Sequence, residues 1–139
     1  MGLKLAAGLT SVAGWYWELD DASKVFARRF FERHKAMPTA AQAAVYSGIT
    51  HYLKSIAATG TDGTDAVISK MRSTPVDDFF GKGAMIREDG KLMHDFYVFE
   101  VKKPSESKGP WEYYKILATV PAREAYGPLS ESECPLVKK

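Results

Sequence analysis

Three histidines, an adjacent pair of aspartates, one cysteine and a Gly-Lys-Gly step are the residues of this chain with the most chemistry to offer. His34, His51 and His94 fall on separate predicted elements, without the His-x-x-x-His or Cys-x-x-Cys spacing that turns two ligands toward one metal. Each reads as a surface or capping residue, and no metal or cofactor is expected. Asp77-Asp78 is a carboxylate pair capable of acid–base work. Adjacent acids ahead of Phe79-Phe80, however, read as loop caps. Cys134 has no base near it in sequence and sits beside Pro135, a poor setting for a nucleophile. As the only cysteine it closes no internal disulfide. Gly81-Lys82-Gly83 lacks the spacing of a phosphate-binding loop. These residues make no catalytic set.

The elements that carry them can be read from patterning. Leu3, Leu5, Ala7, Leu9 and Ser11 alternate with Lys4, Ala6, Gly8 and Thr10, which suits a short strand. The same stretch supports a second reading as a secretory signal: Lys4 as the basic region, Leu5 to Val12 as a weakly apolar core, Ser11-Val12-Ala13 as the cleavage site. The residues alone leave both readings standing. Asp20 or Asp21 caps a helix in which Ala22, Val25, Phe26 and Phe30 face inward and Arg28, Arg29 and Arg33 outward, with Met37-Pro38 as its break. Thr39-Ala40-Ala41-Gln42 is a capping box opening a long helix. Its predicted buried stripe is Val45, Ile49, Tyr52, Leu53 and Ile56, and Gly60 stops it. Gly48 in its interior suggests close packing there. A third helix, opened by Asp62 or Thr64, turns Val67, Ile68 and Met71 inward before Pro75. Asp89-Gly90 then marks a hairpin with strands over 85–87 and 91–101, followed by the polar loop 103–110, a final strand in WEYYKILATVP and an irregular tail from Ala122.

The order strand, three helices, hairpin, strand is α/β, yet one leading strand and a late meander close no sheet alone. The pattern suggests a piece of something larger. The totals are those of a globular protein, with 45% hydrophobic and 26% charged residues at a net charge of +2. Such balance, spread along the chain, argues against a nucleic-acid partner. Lys102-Lys103 and Lys138-Lys139 read as solvated ends. No apolar run approaches the roughly 20 residues of a membrane helix.

Several stretches carry a resemblance: WYWELDDASKVFARRFFERHKAMPT, AAVYSGITHYLKSIAATGTD, VDDFFGKGAMIREDGKLMHDFYVFEVKKPSESKGPWEYYKILATVP and ECPLVKK. From Leu9 onward the chain resembles the C-terminal part of type I periplasmic substrate-binding proteins, which serve branched-chain amino-acid-type ABC transporters. The resemblance implies a partial type I fold, mostly first-lobe helices plus a C-terminal hairpin and strand, within a protein of two Rossmann-like lobes that close on a ligand. It implies a single fragment spanning residues 1–139, with an inter-lobe strand over 1–14 and the remainder over 15–139. The opening stretch is then an interior strand, not a targeting signal, and Met1 an expression start or the start of a shortened gene. Cys134 could pair with a cysteine upstream in the intact protein.

The resemblance also points to two places that look toward the ligand. Trp15, Tyr16 and Trp17 could form an apolar wall on which an aromatic or hydrophobic ligand stacks, or could pack the core near the hinge. At the start of the long helix, Gln42, Ala43, Ala44 and Tyr46 stand where free amides attract a carboxylate. The family usually carries Asp after this tyrosine, and Ser47 stands there instead. The expectation is a non-enzymatic, periplasmic solute-binding component that takes an amino acid or aromatic acid and docks on an ABC permease. A ligand-binding domain of a sensor is the nearest alternative; a small α/β enzyme using Asp77, Asp78 and His94 is another. Unpaired strand edges lead to a further expectation, that this chain forms homo-oligomers.

Overall fold

The computed structural model describes residues 2–135 and 137. The readings of Met1 and of Lys138-Lys139 therefore lie outside the described residues. In chain order the elements are α1 (Leu3–Ala6), β1 (Thr10–Ala13), α2 (Asp21–His34), α3 (Ala40–Thr59), α4 (Thr64–Ser73), β2 (Met85–Ile86), β3 (Leu92–Met93), β4 (Phe96–Val101), β5 (Tyr114–Val120) and α5 (Ala122–Ala125), closing with a 3-10 turn over Leu129–Glu131. They form two compact units, one of residues 1–40 and 95–121, the other of residues 41–94 and 122–139.

The first unit is built on an antiparallel sheet of order β1-β4-β5. Thr10 pairs with Glu100 and Ala13 with Tyr97. The β4–β5 ladder skips Leu117, so that Val98 faces Ala118 but Phe99 faces Ile116. The expected strand over the opening residues is thus only partly right. Residues 3–6 turn as a helix, Gly8 takes a positive φ of 84°, and pairing begins at Thr10. Asp20 caps α2 by accepting from the Ser23 amide at 2.7 Å, as its sequence position foretells. The helix ends on Lys35 in the left-handed conformation, before Met37-Pro38. Its buried positions are Ser23, Phe26 and Ala27, whereas Ala22 and Val25 are exposed. The rotation has a local cause: Ser23 faces inward to accept the buried indole N–H of Trp15.

In the second unit α3 also shows a different face from the expected one. Ala43, Ser47, His51 and Ser55, four residues apart, are buried. Val45, Ile49, Tyr52 and Leu53 are 41–59% exposed. Polar fastenings explain the choice. The Ser47 hydroxyl donates to Asp78 at 2.6 Å, and the His51 ring engages the Met71 carbonyl of α4 at 3.0 Å. Gly48 lies on an open side, with nothing within 4 Å of where a Cβ would stand, so close packing does not explain it. Gly60, at φ 69°, stops the helix as expected. In α4 only Val67 is fully buried; Ile68 is exposed. The hairpin forms with Ile86 opposite Leu92. Gly90 supplies the positive φ of 82° that its tight turn needs. The long strand expected over 91–101 is divided at His94-Asp95, with β3 and β4 in separate sheets. The tail is not wholly irregular, since it holds α5 and the 3-10 turn.

Candidate functional site

In the first unit the aromatic triplet follows β1 directly. Trp15 is 2% exposed, its ring edge-on to Phe26 at 5.9 Å and its indole N–H donated to Ser23 Oγ at 2.9 Å. Tyr16 is buried among Trp17, Phe99 and Tyr114, with centroids 4.8–5.5 Å away. Its hydroxyl donates to Glu18 Oε2 at 2.5 Å. Burial first, then that bond, pushes the phenol well above its ordinary range. Trp17 is half-buried, donates its indole N–H to the Trp111 carbonyl at 3.0 Å, and stands near Tyr113 and Tyr114. The triplet is thus graded in burial: Trp15 and Tyr16 pack in the interior, and Trp17 is half-buried. The loop beyond β4 is tied down by charge. Lys102 pairs with Glu112, which also accepts from the Lys108 amide, and these contacts hold the Glu112 carboxyl below its usual range.

In the second unit Gln42 is exposed and Ala44 half-buried in the first turns of α3. Tyr46 is 43% exposed, with its ring 6.0 Å from Phe79. Ser47, standing where the family usually has Asp, is joined to a carboxylate after all, that of Asp78. Asp78 also accepts from the amides of Phe80 and Gly81, each at 2.8 Å. It is the loop cap that sequence suggested, and both oxygens are spent. Gly81 is required beside it, because a Cβ would stand 2.6 Å from Val76 Cγ1. His51 is buried and not at the surface, a correction that follows from its bond to α4. His94 lies against Phe80 at 5.1 Å and Tyr126 at 6.0 Å. His34 is exposed and lies edge-on to Phe30 at 5.1 Å.

Hollows open among the described residues of this unit. One, of ≈370 Å³, has charged groups of both signs in its lining, Lys54 and Lys70 beside Asp77 and Asp78. Another, ≈390 Å³, is walled by apolar side chains of α4, the hairpin and the loop between them, with His51, His94, Lys91 and Tyr126 among its lining. Sequence reasoning did not bring these four together. Tyr126 comes from the tail, and no local pattern links it to the hairpin. No group of three or more metal-binding side chains occurs among the described residues. None of the described helices is long and apolar enough to cross a membrane.

The family model for periplasmic binding proteins matches residues 1–110. This chain belongs to that family. It is 44% identical to a periplasmic binding protein from Burkholderia mallei, with a TM-score of 0.93 over 99% of this chain and 36% of that one. It is 36% identical to a branched chain amino acid ABC transporter periplasmic ligand-binding protein from Burkholderia xenovorans, with a TM-score of 0.92 over 97% of this chain and 36% of that one. A solute binding protein of an ABC transporter from Rhodopseudomonas palustris, solved with 3,4-dihydroxy benzoic acid, shares the fold at 18% identity and a TM-score of 0.69, over 84% of this chain and 32% of that one. The chain thus spans about a third of the length of the structures it matches. The type I periplasmic-binding-protein fold read from the sequence is the fold observed. No curated protein matches the chain.

Proposed function

We propose that the intact protein is a periplasmic solute-binding component of an ABC importer that takes a small carboxylate, either an amino acid or an aromatic acid. The observation that carries this reading is the 36% identity, across 97% of this chain, to a branched chain amino acid ABC transporter periplasmic ligand-binding protein. Family relatives are named as binding proteins, which supports a role in capture, not turnover. A relative with the same fold holds 3,4-dihydroxy benzoic acid, which supports keeping aromatic acids among the candidates.

Two sets of residues are proposed to serve ligand, each within its own unit: Trp17, positioned by Trp15 and Tyr16, in the first, and Gln42, Ala44 and Tyr46 in the second. In the first unit half-buried Trp17 is the member that meets ligand, while buried Trp15 and Tyr16 fix its position. In the second, Tyr46 offers ring and hydroxyl, and Gln42 and Ala44 flank the amides of the first turns of α3, which favour a carboxylate. Replacing Trp17 or Tyr46 by Ala in the intact protein is expected to weaken binding at least 10-fold, roughly the 1.4 kcal/mol of a single good contact. Titration calorimetry measures it; unchanged affinity in both variants would overturn the site assignment.

A further inference from the structure

The hollow of ≈390 Å³ in the second unit is large enough for a small ligand and has the make-up of a binding site, mostly apolar with a few polar groups. Met71, Val76, Phe80, Ile86 and Leu92 give it apolar walls. Among the described residues no carboxylate lines it, and its one cationic lining residue is Lys91, just past the hairpin turn. Lys91 lies 3.5 Å from Asp89, but Asp89 is already paired with Arg87 through two bonds of 2.9 and 2.7 Å. Arg87 and Asp89 cancel, so the cluster presents one surplus positive charge, on a lysine side chain that is 53% exposed. His94, held against Phe80 and Tyr126, adds a polar ring, and the Tyr126 phenol is kept protonated by burial and can donate a hydrogen bond.

We propose that this hollow is a second small-molecule site, contained wholly within residues 41–94 and 122–139, and that it takes a single aromatic ring bearing a carboxylate. The apolar walls take the ring, and Lys91 takes the anion at the mouth. Ala44 lines the hollow and also belongs to the proposed ligand-contact set, so the test must separate the two.

The probe is benzoate, titrated into this chain while the imidazole resonances of its three histidines are followed by NMR. Benzoate is expected to shift His51 and His94 saturably and to leave His34, on α2, unmoved. Acetate, lacking the ring, and benzyl alcohol, lacking the charge, are each expected to bind at least 5-fold more weakly. Lys91→Gln is expected to weaken benzoate at least 5-fold. Gly48 lines the hollow and has open space where a Cβ would stand, so Gly48→Leu is expected to plug the site without harming the fold. Absence of saturable shifts at His51 and His94 overturns the proposal. So does benzoate binding that survives both Lys91→Gln and Gly48→Leu. Binding that is lost in Tyr46→Ala but kept in Lys91→Gln also overturns it and assigns benzoate to the start of α3. Failure of the second site leaves transport-ligand binding by the intact protein untouched.

Discussion

Tyr16 shows what a single buried polar group does here. Its phenol is held above the ordinary range because it is buried and because its hydroxyl is spent on Glu18. An unfolded tyrosine loses its proton near pH 10, about its unperturbed value, while the folded one keeps it. The folded state therefore binds more protons above that pH, and stability falls as pH rises further. Tyr16→Phe is expected to flatten this alkaline decline in urea unfolding measured between pH 9 and 11; a decline as steep as in the parent would contradict it. Gly48 gives a second test. With no neighbour at its Cβ position, Gly48→Ala is expected to stabilise the chain by about 0.5–1 kcal/mol, the helix-propensity difference. A loss of stability in chemical denaturation would mean that this side of α3 is covered. Single residues with a local job were legible: Asp20 as a cap, Asp78 as a loop cap, Gly60 as a stop and Gly90 as a turn residue. His51 was not, because its partner is a backbone carbonyl 20 residues away that no local pattern reveals.

At the scale of elements, α3 carries two faces with different jobs. Its small and polar face, Ala43, Ser47, His51 and Ser55, is buried, while its apolar stripe stays exposed. The periodicity pointed to this stripe as the buried face and was wrong there, because patterning does not register the polar bonds of Ser47 and His51 that select the other face. Exposed apolar surface of this extent promotes association. Sedimentation is expected to show that the chain self-associates and that Ile49→Lys with Leu53→Lys shifts it toward monomer. A parent already monomeric at the same concentration would contradict this. The hairpin was legible for a plainer reason: a Gly at positive φ and a buried Asp paired with Arg87 are local devices. Arg87, through its hydrogen bond and charge, keeps the Asp89 carboxyl well below the usual range. The stabilisation this gives is complete above the unfolded carboxylate value of about 4 and is lost as pH falls toward the lowered folded value. The difference in thermal midpoint between the parent and Asp89→Asn is therefore expected to be constant near neutrality and to shrink below pH 4.

At the scale of the whole molecule, the family was legible because the helix start with Tyr46, the hairpin around Asp89-Gly90 and the loop over 103–110 occur together in one chain. The division of the expected long strand at His94-Asp95 was not, since apolar residues flank that polar pair on both sides while the chain passes from one unit to the other. Nor was the packing role of Trp15 and Tyr16, because an aromatic residue that packs and one that meets ligand look alike in sequence. The most direct test of the central claim is titration calorimetry of the intact gene product against branched-chain amino acids and single-ring aromatic carboxylates. The expected result is saturable, one-to-one binding of at least one member, recovered unchanged afterwards. No binding across both classes, or conversion of a bound member into product, would contradict a solute-binding role.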